Sequence, residues 1–240
     1  MELGFAVSDT VVVTGAGSGI GRATARMAAR AGLRVAAWDL SADAVAATVE
    51  EITAEGGVAV AATADVSDPA AVSAALVASG PARYLVNNAG PASSGNLDFD
   101  HALALTVGSV RSVTDAWLAT RPPSGAAVVN IASVAGNFVG TDSAWYCAGK
   151  AAIAGYTRHL ATRVAPAVRA NAIAPGFIET PRMAGFADTE LGRSLIARNP
   201  MRRAGVPDDI AGAVLFLLSP LAGYLNGVLL PVDGGWMVTQ

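Results

Sequence analysis

Three side chains in this sequence have the chemistry to act together on one substrate oxygen. Tyr146 and Lys150 stand four residues apart in a stretch of helical character, so they share one helix face. Ser133 closes an apolar run, AAVVNIAS, that reads as a strand and leaves its hydroxyl at the strand's carboxyl end. A tyrosine phenol ordinarily titrates near ~10, and a neighbouring ammonium favours the phenolate. Lowering that value by about three units takes roughly 4 kcal/mol, which a buried lysine and a second nearby cation could supply together. Tyr146 would then exchange a proton with the substrate oxygen as general acid or base, and Ser133 would hold that oxygen.

A phosphate site precedes them. Thr14-Gly15-Ala16-Gly17-Ser18-Gly19-Ile20-Gly21 follows the apolar run TVVVT and opens an alanine-rich helix. Gly15 permits a tight turn, Gly19 lets backbone approach a pyrophosphate, and Gly21 lets helix pack close to strand. Free backbone N–H groups and the helix dipole favour the negative phosphates. Strand before and helix after supply the context that a glycine loop alone lacks. Asp39 ends the second strand, where a carboxylate binds an adenosine ribose and repels a 2′-phosphate. Its neighbours Leu40 and Ser41 are not basic, nor is Ser18 in the loop, so NAD is expected over NADP. Asp65 follows the third strand and is placed to contact adenine, or else only turns the chain ahead of Asp68-Pro69.

The elements that must position these groups alternate along the chain. Thr10–Thr14, Arg34–Trp38, Val58–Ala62, Arg83–Asn87, Ala126–Ile131, Val168–Ile173 and Val228–Val232 read as strands. They are continuous apolar runs, as expected for parallel strands covered on both faces. Helical stretches lie between them. Gly32 closes the first as a C-cap, Ser41 caps the second, Asp68-Pro69 opens the third and Pro207 opens the last. Longer helical patterns run over Asp98–Thr120 and Asp142–Val164. The expectation is an α/β fold: one domain over residues 1–240, a doubly wound sheet of about seven parallel strands with helices on both faces.

Composition narrows the function classes. Of 240 residues, 52% are hydrophobic and 15% charged, which excludes a disordered linker. A net charge of −3 argues against a nucleic-acid binder. The single Cys147 excludes a disulfide scaffold, and His101 and His159 lack partners at metal-ligand spacing, so no metal is expected. Ile210 to Val232 carries no charge, but Pro220, Gly223, Asn226, Gly227 and Pro231 interrupt it, so a buried helix, turn and strand are expected rather than a membrane span. MELGFAVSDT is not a secretory signal, and the expected location is the cytoplasm.

At this point the chain resembles the short-chain dehydrogenase/reductase family in its single-domain form, over essentially its whole length. The resemblance rests on TGAGSGIG at 14–21, NNAG at 87–90, IAS ending at Ser133, YCAGK at 146–150 and PGFIET at 175–180. It implies a Rossmann-type fold and hydride transfer with a nicotinamide cofactor. Tyr146 is then the catalytic acid/base, and Lys150 also binds the nicotinamide ribose. It further implies that Asn87, Asn88, Ala89 and Gly90 support the central strand and adenosine, and that Asp65-Val66 contacts adenine. Pro175-Gly176 would sit at the nicotinamide, with Ile178 and Thr180 bonding near its carboxamide. A homotetramer, or a homodimer, is implied as well, with the helices at 98–120 and 142–164 packed across one interface.

The sequence departs from the family in places. Family members carry an asparagine in the helix after NNAG, which holds a water for a proton relay. Here Thr106 aligns with it, and is expected either to hold that water or to bond its own helix backbone. The connection between Gly90 and Phe99 is short, so the 91–97 stretch should leave the substrate side open. The segment 181–199 corresponds to a substrate lid. Phe138, Trp145, Phe177, Met183 and Phe186 are candidate lining residues and suggest a hydrophobic ketone or secondary alcohol. Arg182, Arg193 and Arg198 could meet an acidic substrate tail, although helix arginines are usually solvated. The expected activity is NAD(H)-dependent oxidation of secondary alcohols or reduction of ketones. Alternatives are a 3-oxoacyl-thioester (acyl carrier protein) reductase and a non-catalytic NAD-binding redox sensor.

Overall fold

The computed structural model describes residues 3–93 and 95–239, so Ser94 of the 91–97 stretch lies outside the described residues. Seven strands form one parallel sheet: β1 Thr10–Thr14, β2 Arg34–Asp39, β3 Ala59–Thr63, β4 Tyr84–Asn87, β5 Ala126–Ile131, β6 Val168–Pro175 and β7 Leu229–Val232. Their spatial order is β3-β2-β1-β4-β5-β6-β7. The winding reverses between β1 and β4, and a crevice opens there outside the strands' carboxyl ends.

Alternate residues of each strand face opposite layers. Val11, Val13, Val35, Ala37, Val86 and Val129 pack against α1 (Gly19–Arg30), α2 (Ala42–Ala54) and α8 (Pro207–Leu218). Val12, Ala36, Trp38, Leu85, Val128 and Ala170 face α3 (Pro69–Ser79), α5 (Ser109–Ala119) and α6 (Ala144–Arg163). Both faces are covered, which is why the strands read as unbroken apolar runs. The two large indoles of this second layer keep their N–H groups satisfied: Trp38 donates to Ser79 Oγ and Trp117 to the Ala82 carbonyl, each at 2.9 Å.

Local signals set most element ends. Ser41 accepts from Ala44 N at 3.3 Å, and Asp68 from Ala70 N at 2.9 Å with Pro69 at the first helical position. Pro207 opens α8. The α1 cap is Ala31, not Gly32, which follows it in the left-handed region at φ +89°. The 98–120 helix is not uniform. It comprises α4 (Phe99–Leu103), a widened π-type turn over Ala104–Gly108, and α5. The uncharged 210–232 stretch resolves into most of α8, a turn and β7; among the described residues no helix is long and apolar enough to cross a membrane.

A buried polar network ties the sheet to the helix that carries Tyr146. Asn87 and Asn130 are register partners on β4 and β5. Asn87 Nδ2 donates to Asn130 Oδ1 at 2.8 Å and to Thr114 Oγ1 on α5 at 2.9 Å. Asn130 Nδ2 donates to Thr157 Oγ1 on α6 at 2.9 Å. All four residues are buried, so each bond replaces one that water can no longer supply.

Candidate active site

The glycine loop folds as its composition requires. Gly15 and Gly19 adopt φ +66° and +52°, a region that side chains with a Cβ rarely enter. A Cβ on Gly21 would overlap the Gly15 carbonyl, and one on Gly17 would stand 2.9 Å from Asp39 Cγ. Asn88 staples the end of β4 to this loop: its Nδ2 donates to the Thr14 carbonyl at 2.9 Å, and Thr14 Oγ1 accepts from Asn88 N and Ala89 N. The Asp39 carboxylate turns toward the loop, accepting from Gly17 N at 2.8 Å and Ser41 N at 3.0 Å.

A cleft of about 320 Å³ opens over the carboxyl edge of the sheet. Gly15, Ser18, Gly19 and Ile20 line one end with Asn88, Ala89 and Gly90. Ser133, Tyr146 and Lys150 line it with Pro175, Gly176, Phe177, Ile178, Thr180 and Met183. Residues from the loops after β1, β4, β5 and β6 thus share one wall. The Lys150 ammonium donates to the Ile131 carbonyl at 2.9 Å and lies 5.7 Å from the centre of the Tyr146 ring. Ser133 Oγ accepts from Ala135 N at 3.1 Å.

The electrostatics differ from the sequence expectation. Burial pushes the Tyr146 phenol above its ordinary value, against the pull of a hydrogen bond with Ser133 and of the Arg182 guanidinium. Burial also brings the Lys150 ammonium down to about 8, and Arg182 adds to that fall. Desolvation therefore outweighs any help the lysine lends to the phenolate in this arrangement.

Several expected residues stand off the cleft. Thr106 is buried behind Gly149 in the widened turn, where its hydroxyl donates to the Ala102 carbonyl at 2.7 Å. This is the backbone-bonded arrangement, and it gives no contact with the cleft. Trp145 precedes Tyr146 by about 100° of helix rotation, and so is 7% exposed, packing edge-on to the tyrosine at 5.7 Å. Phe138 is exposed outside the wall, and Phe186 reaches it only through Phe177, ring to ring at 5.2 Å. Asp65 accepts from Ser67 N and Ser67 Oγ at 2.8 and 2.6 Å, bonds that hold its carboxyl below the usual range. It shapes a turn, Val66 packs beside it against the core, and Leu40 is 71% exposed; none of the three lines the cleft, and neither do Gly17, Gly21 and Asp39. Conversely, Val134, Thr141, Arg182 and Trp236 line the wall, and Trp236 comes from beyond the last strand. Only Arg182, by its charge next to the PGFIET run, offered a sequence signal.

A family model described as enoyl-(acyl carrier protein) reductase matches residues 15–237. The chain belongs to the short-chain dehydrogenase/reductase family. Its relatives are oxidoreductases. It is 35% identical over 252 residues to L-rhamnose 1-dehydrogenase (NAD(P)(+)) of Azotobacter vinelandii, covering 97% of this chain and 98% of that protein. Among solved structures it resembles 7α-hydroxysteroid dehydrogenase complexed with NADH and 7-oxo glycochenodeoxycholic acid, with a TM-score of 0.89, 31% identity, and 98% and 96% of the two chains covered. It also resembles a putative 2-deoxy-D-gluconate 3-dehydrogenase of Agrobacterium tumefaciens with bound NADP, with a TM-score of 0.85, 36% identity, and 97% and 98% covered.

Proposed function

We propose that this short-chain dehydrogenase/reductase transfers hydride between NAD(H) and a hydrophobic secondary alcohol or ketone, with Tyr146 as general acid/base. The observation that carries the reading is the convergence of Ser133, Tyr146 and Lys150 on one cleft wall beside the glycine loop. The loop fits a dinucleotide: its turns need the glycines' freedom, and Gly21 is closed to any Cβ. Gly15, Gly17, Ser18, Gly19, Ile20 and Asn88–Gly90 would hold the adenosine and pyrophosphate, and Asp39 the ribose. Lys150, Pro175, Gly176, Ile178 and Thr180 would hold the nicotinamide half. The cofactor supplies the hydride acceptor or donor. Tyr146 takes the hydroxyl proton in oxidation and returns it in reduction, while Ser133 fixes the oxygen by a hydrogen bond.

Support for NAD over NADP comes from Asp39, whose carboxylate is fixed toward the loop by Gly17 N and Ser41 N. Relatives use either nucleotide, as the names and complexes above state. Phe177 and Met183 on the wall support an apolar substrate body. The second reading is a 3-oxoacyl-thioester (acyl carrier protein) reductase, supported by the acyl-carrier-protein substrate in the description of the matching family model. We further propose one domain over 1–240 from the undivided strand–helix alternation, a homotetramer or homodimer as the family resemblance implies, and a cytoplasmic location.

The test is NADH formation by the purified protein over a panel of secondary alcohols, with NADP in parallel and Tyr146→Phe as control. Turnover with NAD that falls at least a hundredfold in the variant is expected. NAD binding without turnover of any alcohol or 3-oxoacyl thioester would turn the reading toward a non-catalytic NAD-binding protein.

A further inference from the structure

We propose that Arg182 selects the substrate: an alcohol or ketone that also carries a carboxylate, seated against this guanidinium while its reacting oxygen lies at Tyr146. The inference rests on the oxidoreductase reading above and names its substrate class. Arg182 lies in the first turn of the 181–199 segment, Pro181–Met183, yet its Nη1 donates to the Gly90 carbonyl beyond β4 at 2.9 Å. One side chain thus spans from the segment after β6 to the loop after β4. Arg193 of the same segment turns instead to the Asp188 carbonyl within it.

Charge gives this position its meaning. Among the described residues lining the cleft, Lys150 and Arg182 are the cations and no Asp or Glu is present. Glu179, close in sequence, is exposed and outside the wall. Arg22, Arg26, Arg30, Arg83 and Arg203 meet carboxylates, whereas Arg169, Arg193 and Arg202 are held by backbone carbonyls outside the cleft. Arg182 meets no carboxylate among the described residues. It lines the same cleft as Tyr146 and Lys150, and its charge lowers both groups. One N–H anchored on Gly90 orients the planar fork and leaves other donors for a carboxylate. The neighbouring Phe177 and Met183 suit the chain between carboxylate and carbonyl.

The experiment compares 3-hydroxyhexanoate with its methyl ester as substrates for wild type, Arg182→Met and Arg182→Lys, varying NAD as well. The expected result is a tenfold or greater kcat/KM preference for the acid in wild type. That preference collapses toward one in Arg182→Met, survives in part in Arg182→Lys, and weakens with added salt. Equal use of acid and ester by wild type would overturn the assignment. So would a loss in Arg182→Met that is the same for both substrates and tracks a raised KM for NAD, since the guanidinium would then serve the cofactor. Calorimetric binding of hexanoate against hexanamide to the NADH-loaded protein separates this proposal from turnover. Hexanoate binding that weakens tenfold in Arg182→Met supports the subsite even if no alcohol is oxidised. Equal binding to both proteins, or binding to neither, removes it.

Discussion

Lys150 is buried and Tyr146 half-buried beside it, and desolvation penalises charge on each. The phenol therefore holds its proton more tightly, and the ammonium gives its proton up near pH 8. The sign for the reaction follows. Alcohol oxidation needs the phenolate, so its kcat/KM should climb through alkaline pH, while ketone reduction needs the protonated phenol and should fall over the same range. Arg182 lowers the phenol, so Arg182→Met should move both limbs to higher pH. Steady-state profiles in each direction check this, and a flat profile would remove Tyr146 from the proton step. Thr106 yields a contrasting expectation. Its hydroxyl is spent on Ala102, so Thr106→Val should cost about 1 kcal/mol of stability and change kcat less than about threefold. Denaturant melts and kinetics measure the two, and a large kcat loss with an altered solvent isotope effect would restore a relay role.

At the scale of elements, much was legible because the signals are local. Unbroken apolar runs marked the covered strands, Ser41 and Asp68 marked helix starts, and the glycine loop announced its own turn. The rest depends on neighbours distant in sequence. Trp145 looked like a lining residue until the rotation of α6 turned it inward. Asp65 was placed at an adenine contact by position alone; its Oδ1 accepting from Ser67 within the turn could not be read from the sequence. Nothing in ALTVG distinguishes a widened turn from an ordinary helix, because the difference lies in which carbonyl each amide meets. Asn130 was visible as a polar residue inside an apolar strand; its partners required the β4–β5 register. The glycine loop also carries the sharpest element-level prediction. Gly21→Ala forces a methyl group onto the Gly15 carbonyl, which should cost on the order of 1–3 kcal/mol and weaken NAD binding at least tenfold. Calorimetry of folding and of NAD binding checks both, and an unperturbed variant would show that the loop relaxes freely.

Across the whole molecule, the parallel sheet gathers at one edge residues that span the chain from Gly15 to Trp236. A dinucleotide that binds there touches both halves of the sheet and has no such site in the unfolded chain. Saturating NAD should therefore raise stability by about 2.7 kcal/mol at a hundred times its Kd. A thermal melt that rises with NAD concentration checks the point, and an unchanged melting temperature would deny the site.

That distributed wall has a consequence for how long the protein survives. Degradation samples the opened chain, so any ligand that favours the closed one lengthens its lifetime. With every loop of the cleft drawn from a different part of the sequence, a dinucleotide bound as proposed would couple the protein's abundance to nucleotide supply. A population starved of dinucleotide would be cleared faster than one that is replete, with no change in synthesis.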